Sequence, residues 1–219
     1  MNILHDISPE RIKEDKFMAV IEICKNSKGK YEIDKETGLL LLDRVLYTST
    51  HYPANYGFVP LTLSEDDDPL DVFVYCSEEI HPMCLVECKA IGAIDMIDND
   101  QIDTKLIAVP TGDPTYSSYE EITDMPPHII EELMHFLRVY KDLENKKTKI
   151  SKFYDSQYAR DAITICMNRY KEAHKDDKKK KTWDIPKPFL FPFKIIFTSA
   201  KLKMKFNNAK VNLCIESNL

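Results

Sequence analysis

Hydrophobic residues form short apolar or alternating runs along the first half of the chain. Residues 17–23 are apolar apart from Glu22, and residues 30–33 alternate polar with apolar side chains, so both segments are predicted strands. The segment 34–38 has turn composition and predicts a hairpin to a partner strand over 39–46. Three further short strands are predicted at 72–76, 85–91 and 106–109.

Two helical patterns follow in the second half. Pro126 and Pro127 suit a first helical turn, and apolar residues then recur at helical spacing as far as Tyr140. Asp155 or Ser156 is a predicted cap for a second helix that runs to about 171. Short strands followed by helices indicate an α+β domain, and we expect the sheet to close into a small barrel.

Composition and charge divide the chain into two parts. The 219 residues are 43% hydrophobic and 30% charged, which is typical of a globular protein. Residues 1–177 carry 20 basic and 34 acidic side chains, whereas residues 178–219 carry ten lysines and two acids. We therefore predict a domain over 1–177 and a basic, aromatic-rich extension over 178–219, which we expect to be poorly ordered. The alternation at 201–206 followed by 211–215 leaves a hairpin there as the alternative.

These features exclude several classes of protein. An acidic body argues against nucleic-acid binding, which needs a basic face. No run approaches the roughly 18 apolar residues of a membrane-spanning helix. The first 16 residues have no apolar core of a secretory signal, and the six cysteines are scattered, so we expect reduced thiols and a cytoplasmic location.

An acidic loop at residues 65–71 is the first candidate for chemistry. Two like charges about 6 Å apart repel by roughly 3 kcal/mol at an effective dielectric near 20. Pro69 stiffens this loop and apolar neighbours anchor it, so its charges cannot all spread into water. A bound Mg²⁺ or Ca²⁺ would neutralise them, and a solvated acidic turn is the alternative. The carboxylates are Glu65, Asp66, Asp67, Asp68 and Asp71.

A second acidic group and several cations extend the candidate site. Asp95, Asp98, Asp100 and Asp103 lie between two predicted strands and read as a polar loop. If the two loops converge, a site for more than one metal follows, and such a site acidifies a bound water. The segment 52–58 is unusually aromatic for a loop. Phosphate oxygens could be held by Lys30, Arg44, Lys105, Lys141 and tyrosine hydroxyls.

Together these motifs resemble the soluble inorganic pyrophosphatases of the first, Mg²⁺-dependent family. The resemblance covers residues 17–171 and includes the specific signature D-G-D-P-x-D, with order and spacing kept. The matching segments are Ile21-Glu22-Ile23, Lys30-Tyr31-Glu32-Ile33-Asp34, Asp43-Arg44, Tyr52-Pro53-Ala54-Asn55-Tyr56-Gly57, Asp66-Asp67-Asp68-Pro69-Leu70-Asp71-Val72, Gly92, Asp98, Asp103-Thr104-Lys105, Ala108-Val109-Pro110, His135-Phe136 and Tyr140-Lys141-Asp142-Leu143-Glu144.

The resemblance implies a five-stranded, OB-like barrel with two main C-terminal helices, and the hydrolysis of pyrophosphate to two phosphates. It also implies several Mg²⁺ ions per site, with other divalent cations as alternatives, and a homo-oligomer, hexameric in short bacterial-type chains. Asp68 matches the residue that accepts a proton from the attacking water. The metal-ligand positions are Asp66, Asp71, Asp98, Asp103, Glu22 and, through a water, Glu32; the phosphate-holding positions are Lys30, Arg44, Tyr56, Lys105, Tyr140 and Lys141; Tyr52 lies at the edge of the site.

Two positions depart from the family pattern. Asp67 stands where the family signature usually has glycine. If that position needs a positive φ, aspartate tolerates it better than most residues, but at some cost in backbone strain. Cys24 stands where proline is common in the family, and we interpret it as an inert, buried thiol.

Two other classes of protein remain as alternatives: an OB-type binding module without catalysis, and a passive Ca²⁺-binding protein. The first conflicts with the retained carboxylates, and the second would not need cations around the metals.

Overall fold

The computed structural model of the protein describes residues 2–98, 101–146 and 148–175. The predicted boundary at 177 and the extension over 178–219 lie outside the described residues and stay predictions. Within the described ranges, strands and α-helices follow one another as β1 (Phe17–Ile23), β2 (Gly29–Ile33), β3 (Leu40–Val45), β4 (Asn55–Val59), β5 (Leu70–Val74), β6 (Leu85–Asp98), β7 (Gln101–Pro110), α1 (Pro127–Val139), β8 (Lys149–Tyr154) and α2 (Ser156–Ala173).

Six strands form a mixed sheet in the order β1-β4-β5-β7-β6-β8, and β1 also pairs with β6. Only β5 and β7 run parallel, and the other neighbours are antiparallel. The strands β1, β4, β5 and β7 therefore have two strand neighbours each, and β6 has three, β1, β7 and β8. The strands β2 and β3 pair with one another in a separate two-stranded sheet, called the β2–β3 hairpin below.

The sheet strands are apolar in continuous runs because they are covered on both faces. Along β5, Val72 packs in a cluster with residues of α2, whereas the next residue, Phe73, packs in a cluster with residues of α1. Successive side chains of a strand point to opposite faces, so one strand serves both clusters. The sheet is thereby held between the two helices and gives its side chains fixed positions.

Both predicted helices are confirmed, with small changes at their ends. The helix α1 begins at Pro127, and Leu133, Phe136 and Leu137 form its buried side. Asp155 caps α2 by accepting a hydrogen bond from the Tyr158 amide at 2.9 Å. Among described residues, no helix is long and apolar enough to cross a membrane.

Two predicted loops are wrong. The aromatic segment includes the strand β4, because Asn55 and Gly57, residues that strands normally disfavour, meet tertiary requirements here. The second acidic group is not a simple loop, because β6 continues through Asp95 to Asp98 and β7 begins at Gln101. The polar strand β8 was missed as well; it has no alternating apolar pattern and lies at the edge of the sheet beside β6.

Candidate active site

A polar cavity of about 230 Å³ opens between the β2–β3 hairpin, the acidic loop and the sheet. Strands β1, β2, β4, β5 and β7 contribute to its wall, together with the residues that follow α1. Eleven of the predicted site residues line this cavity: Glu22, Lys30, Glu32, Tyr56, Asp66, Asp68, Asp71, Asp103, Lys105, Tyr140 and Lys141. Residues separated by more than 100 positions in the sequence are thus brought to one surface.

The floor of the cavity is a hydrogen-bonded cluster around Lys105. Its ammonium group donates to Asp71 Oδ2 at 2.5 Å, to both carboxylate oxygens of Asp103 at 2.9 and 3.0 Å, and to the Tyr56 hydroxyl at 3.2 Å. The Tyr56 hydroxyl also donates to Asp71 Oδ2 at 2.5 Å. The parallel pairing of β5 with β7 sets Asp71 opposite Lys105, so the sheet register itself creates the cluster.

Charge and burial oppose one another at this cluster. Burial alone would lower the pKa of Lys105, but the carboxylates of Asp71 and Asp103 outweigh it and hold that pKa well above its ordinary value. Burial, followed by the charge of Asp71, raises the pKa of the Tyr56 hydroxyl well above its ordinary value. Lys105 is therefore a cation and Tyr56 a neutral donor, which are the states needed to hold an anion.

Glu22 is a buried carboxyl on the side of the cavity formed by β1. Its Oε1 accepts a hydrogen bond from the Ile33 amide at 2.9 Å, which ties β1 to the hairpin. Burial, with a further contribution from the charge of Asp71, raises the pKa of Glu22 to about 8. The charge of Lys30 lowers this pKa but does not offset burial, so a further cation at this side of the cavity would favour the ionised carboxyl.

The acidic loop presents its carboxylates along the rim. Asp66 Oδ1 accepts from the Asp68 amide at 3.1 Å, and burial raises the pKa of the Asp66 carboxyl. Asp67 has a φ of 64°, the left-handed conformation for which the family uses glycine. Lys35 contacts this loop through Asp68 Oδ1 at 2.6 Å and the Asp67 carbonyl at 3.2 Å.

The β2–β3 hairpin supplies a row of alternating charges. Lys30 contacts the carboxylates of Glu32 and Asp43, and Asp43 Oδ2 also accepts from Arg44 Nη1 at 2.5 Å. Arg44 Nε donates in turn to Glu144 Oε1 at 2.9 Å, just beyond α1. Opposite charges along the row neutralise one another, so the hairpin presents cations to the cavity without a large net charge.

An aromatic stack lies behind the part of the cavity that is formed by β4 and the end of α1. Tyr52 packs between Tyr56 and Phe136, with ring centroids 5.5 and 4.9 Å apart, and Phe136 stacks on Tyr140 at 5.1 Å. The Lys141 ammonium lies 5.3 Å from the centre of the Tyr140 ring. The stack fixes the end of α1 against β4, and so fixes the cations and hydroxyls that it carries.

Three predicted site residues are not among the residues that line the cavity. Tyr52 lies behind it, in the aromatic stack, and Arg44 lies beside it, in contact with Asp43 and Glu144. Asp98 ends β6, and its side chain lies outside the described part of the structure. Sequence reasoning missed Lys35, which belongs to a turn; no local pattern indicates its contact with a loop 32 residues away.

The donor set suits a hard divalent cation, although the metal positions are not preformed. Among the described residues, no three acidic, histidine or cysteine side chains already lie at metal-binding distance from a common point. The Lys105 ammonium bridges Asp71 and Asp103, so this position of the cavity accommodates a positive charge. Carboxylate oxygens, which line the cavity from four separate segments, are the ligands that Mg²⁺ prefers.

Comparisons with known proteins agree with this site. The family model for inorganic pyrophosphatase matches residues 19–171. Soluble inorganic pyrophosphatase 1 of Arabidopsis thaliana is 47% identical over 156 residues, covering 71% of this chain and 74% of that protein. The inorganic pyrophosphatase of Halalkalibacterium halodurans is 46% identical over 153 residues, covering 70% of this chain and 94% of that protein.

Solved structures give the same result. The inorganic pyrophosphatase of Helicobacter pylori has a TM-score of 0.71 and 40% identity, covering 73% of this chain and 96% of that one. The inorganic pyrophosphatase of Thermus thermophilus has a TM-score of 0.72 and 34% identity, covering 78% of this chain and 99% of that one. The chain belongs to the inorganic pyrophosphatase family, which confirms the resemblance seen in its motifs.

Proposed function

We propose that this cavity hydrolyses inorganic pyrophosphate to two phosphates, so that the protein is an inorganic diphosphatase. The observation that carries the proposal is the convergence of six carboxylates, from four separate segments, with lysine and tyrosine groups on one polar cavity. The carboxylates alone would repel a polyanion, and the cations alone would not activate water. Both sets together suit phosphoryl transfer, which depends mainly on positioning and charge neutralisation.

Metal ligands in this proposal are Asp66, Asp71, Asp98 and Asp103, with Glu22 and with Glu32 acting through a water. Mg²⁺ is the proposed ion because every donor is a carboxylate oxygen. When bound, the metal supplies positive charge for the phosphate oxygens and lowers the pKa of a coordinated water. The raised pKa of Glu22 supports this assignment, because an added cation would relieve the cost of ionising that buried group.

Protein side chains would orient the attacking water, accept its proton and bind the two phosphate groups. Asp68, on the exposed rim, would orient the attacking water and accept its proton as the new P–O bond forms and the bridging P–O bond breaks. Lys30 and Tyr56 would hold the phosphoryl group under attack. Lys105 would help to hold the substrate from the cavity floor. The departing phosphate would be stabilised by Arg44, Tyr140 and Lys141, with Tyr52 supporting them from behind.

Several broader features belong to the same proposal. The pairing of β1 with both β4 and β6 supports a closed, OB-like barrel of five strands. We also propose a homo-oligomer, a cytoplasmic location, and a catalytic domain over 1–177 followed by a separate extension. These follow from the family resemblance and from the charge pattern along the chain.

The test is release of phosphate from pyrophosphate and from ATP, with Mg²⁺ and with a chelator. We expect Mg²⁺-dependent hydrolysis of pyrophosphate, and a loss of at least about 100-fold in kcat for Asp68→Ala with an unchanged melting temperature. Glu65→Ala is the matched control, since Glu65 lies in the same loop and instead contacts Arg169. Full activity of Asp68→Ala, or calcium binding without any hydrolysis, would contradict the proposal.

A further inference from the structure

The β2–β3 hairpin is connected to the segment after α1 by an ion pair that crosses 100 residues of sequence. Arg44 Nε, on β3, donates to Glu144 Oε1 at 2.9 Å. Glu144 ends a short 3₁₀ turn, Asp142–Glu144, which directly follows Tyr140 and Lys141. The contact therefore joins the two segments of the cavity that carry proposed phosphate-binding groups.

This ion pair is more shielded than the exposed pair between Lys16 and Glu87, which also joins distant parts of the chain. The Glu144 side chain is 8% exposed and that of Arg44 is 21% exposed, whereas Lys16 and Glu87 are 54% and 45% exposed. Burial disfavours the charged guanidinium, but the contacts with Glu144 and Asp43 outweigh it and raise the pKa of Arg44. A shielded carboxylate with one well-placed donor fixes the orientation of its partner more firmly than an exposed pair does.

The two carboxylates leave part of the guanidinium available. Glu144 accepts from Nε, and Asp43 accepts from Nη1. Within the described residues, Arg44 Nη2 makes no hydrogen bond to the protein. Since the guanidinium is planar, fixing two of its nitrogens fixes the direction of the third. That geometry leaves Nη2 available for a phosphate oxygen.

We propose that Glu144 is a positioning residue, which holds Arg44 through Nε so that Nη2 can donate to the substrate. This inference rests on the proposed function, in which Arg44 binds the departing phosphate. Glu144 itself touches no substrate. Its contact also sets the spacing between the β2–β3 hairpin and the Tyr140–Lys141 segment, so both cations act on one phosphate group.

The experiment is a double-mutant cycle on the full chain with pyrophosphate and Mg²⁺. It compares the native protein, Glu144→Gln, Arg44→Ala and the double variant by KM, kcat and melting temperature. We expect Glu144→Gln to raise KM about tenfold, as loss of one charge-assisted hydrogen bond allows, with a smaller change in kcat. The double variant should have the KM of Arg44→Ala alone, because Glu144 acts through that residue.

Two further variants separate positioning from general stability. Glu120→Gln is the matched control, since Glu120 also pairs with a lysine from a distant strand, Lys89, but lies away from the cavity. It should leave KM unchanged. Glu144→Asp keeps the charge but withdraws it by one methylene, so its KM should lie between those of the native protein and Glu144→Gln, and this variant replaces Glu144→Gln if the latter does not fold.

The outcomes distinguish the inference from the proposed function. If Arg44→Ala leaves KM and kcat unchanged, Arg44 has no part in binding and the proposed function is wrong on that residue. If Arg44→Ala raises KM but Glu144→Gln does not, the positioning role is wrong. If the two effects multiply in the double variant, Glu144 acts independently of Arg44 and the inference is also overturned.

Discussion

The two walls of the cavity are built in different ways. On the sheet wall, Tyr56, Asp71 and Lys105 lie on β4, β5 and β7, and each of those strands has a neighbour on both sides. On the hairpin wall, β2 and β3 pair with one another, and the outer side chains Leu39 and Leu41 are 68% and 56% exposed. The first wall is fixed by the backbone ladder and burial, and the second by ion pairs together with a small apolar cluster that includes Ile33 and Leu40.

This difference separates two roles within one site. Strands buried on both sides cannot shift, so the sheet wall suits metal ligands that must keep their spacing. A hairpin held by ion pairs and by the Glu22 contact with Ile33 can adjust to a bound anion. We therefore expect substitutions in the sheet wall to cost stability, and equivalent substitutions in the hairpin to cost mainly substrate affinity.

The largest contrast should come from two glycines. A Cβ at Gly57, on β4, would lie 1.8 Å from the Val20 carbonyl oxygen, and a backbone atom in a paired strand cannot move aside. The atoms nearest to a Cβ at Gly29, on β2, belong to the Tyr31 ring, the closest at 2.6 Å, and a partly buried side chain can shift where a paired backbone cannot. We expect Gly57→Ala to lower the free energy of unfolding by at least about 4 kcal/mol or to prevent folding. Gly29→Ala should lower it by less than about 1 kcal/mol.

Urea denaturation followed by circular dichroism measures both glycine variants. Equal losses would show that the hairpin is as tightly constrained as the sheet and would remove the basis of the comparison. A stable Gly57→Ala variant would contradict the close approach of β1 and β4 directly.

A smaller contrast is expected from two lysines of the cavity. Lys105→Met leaves Asp71 and Asp103 facing one another without their buried partner, which should cost about 3 kcal/mol in the presence of a chelator. Lys30→Met removes a more exposed contact and should cost less than about 1 kcal/mol. Mg²⁺ should restore part of the lost stability in Lys105→Met only. Thermal unfolding with and without Mg²⁺ is the measurement, and equal melting temperatures would contradict this contrast.

The same two walls explain what the sequence could predict. The strand β1 and the helices α1 and α2 were recognised because burial imposes a regular apolar pattern on their sequences. The strand β4 was not recognised, because Gly57 is required by the close approach of β1 and lowers the strand signal. The polar edge strand β8 exists through its pairing with β6 and has no pattern of its own.

Within the site, residues that act through a family motif were found and residues that act through tertiary contact were missed. Asp66, Asp68 and Asp71 belong to one signature whose spacing is visible in the sequence. Lys35 and Glu144 were given no role, because their contacts with Asp68 and Arg44 depend on how the hairpin lies against the acidic loop and against the end of α1.

Glu22, which joins the two walls, should give a pH-dependent difference in stability. Its pKa is raised from 4.5 to about 8, so between these values the unfolded chain releases a proton that the folded chain retains. Stability then falls as pH rises across that window. Glu22→Gln keeps an acceptor for the Ile33 amide but does not titrate, so this component of the fall should be absent.

Denaturation in a chelator at pH 5.5, 7 and 8.5 measures this difference between the native protein and Glu22→Gln. We expect the free energy of unfolding of the native protein to fall by about 3 kcal/mol relative to the variant over that range. Addition of Mg²⁺ should shrink the difference, because a bound cation favours the ionised carboxyl. A difference that stays constant with pH would show that Glu22 is not buried as a neutral acid.

The smallest effect is expected at Asp67, on the rim between the two walls. Its φ of 64° favours glycine, so Asp67→Gly relieves backbone strain but also increases the entropy of the unfolded chain. These effects oppose one another, and the net change in the free energy of unfolding should stay within about 1 kcal/mol.

The activity of Asp67→Gly should also change little. The Asp67 carbonyl that accepts from Lys35 is retained, so kcat should be unchanged or slightly higher. A loss of more than about tenfold in rate, equivalent to about 1.4 kcal/mol, would give the Asp67 carboxylate an active role. Asp67→Ala is the control, since alanine removes the same charge but keeps the strain, and it should therefore be the least stable of the three proteins.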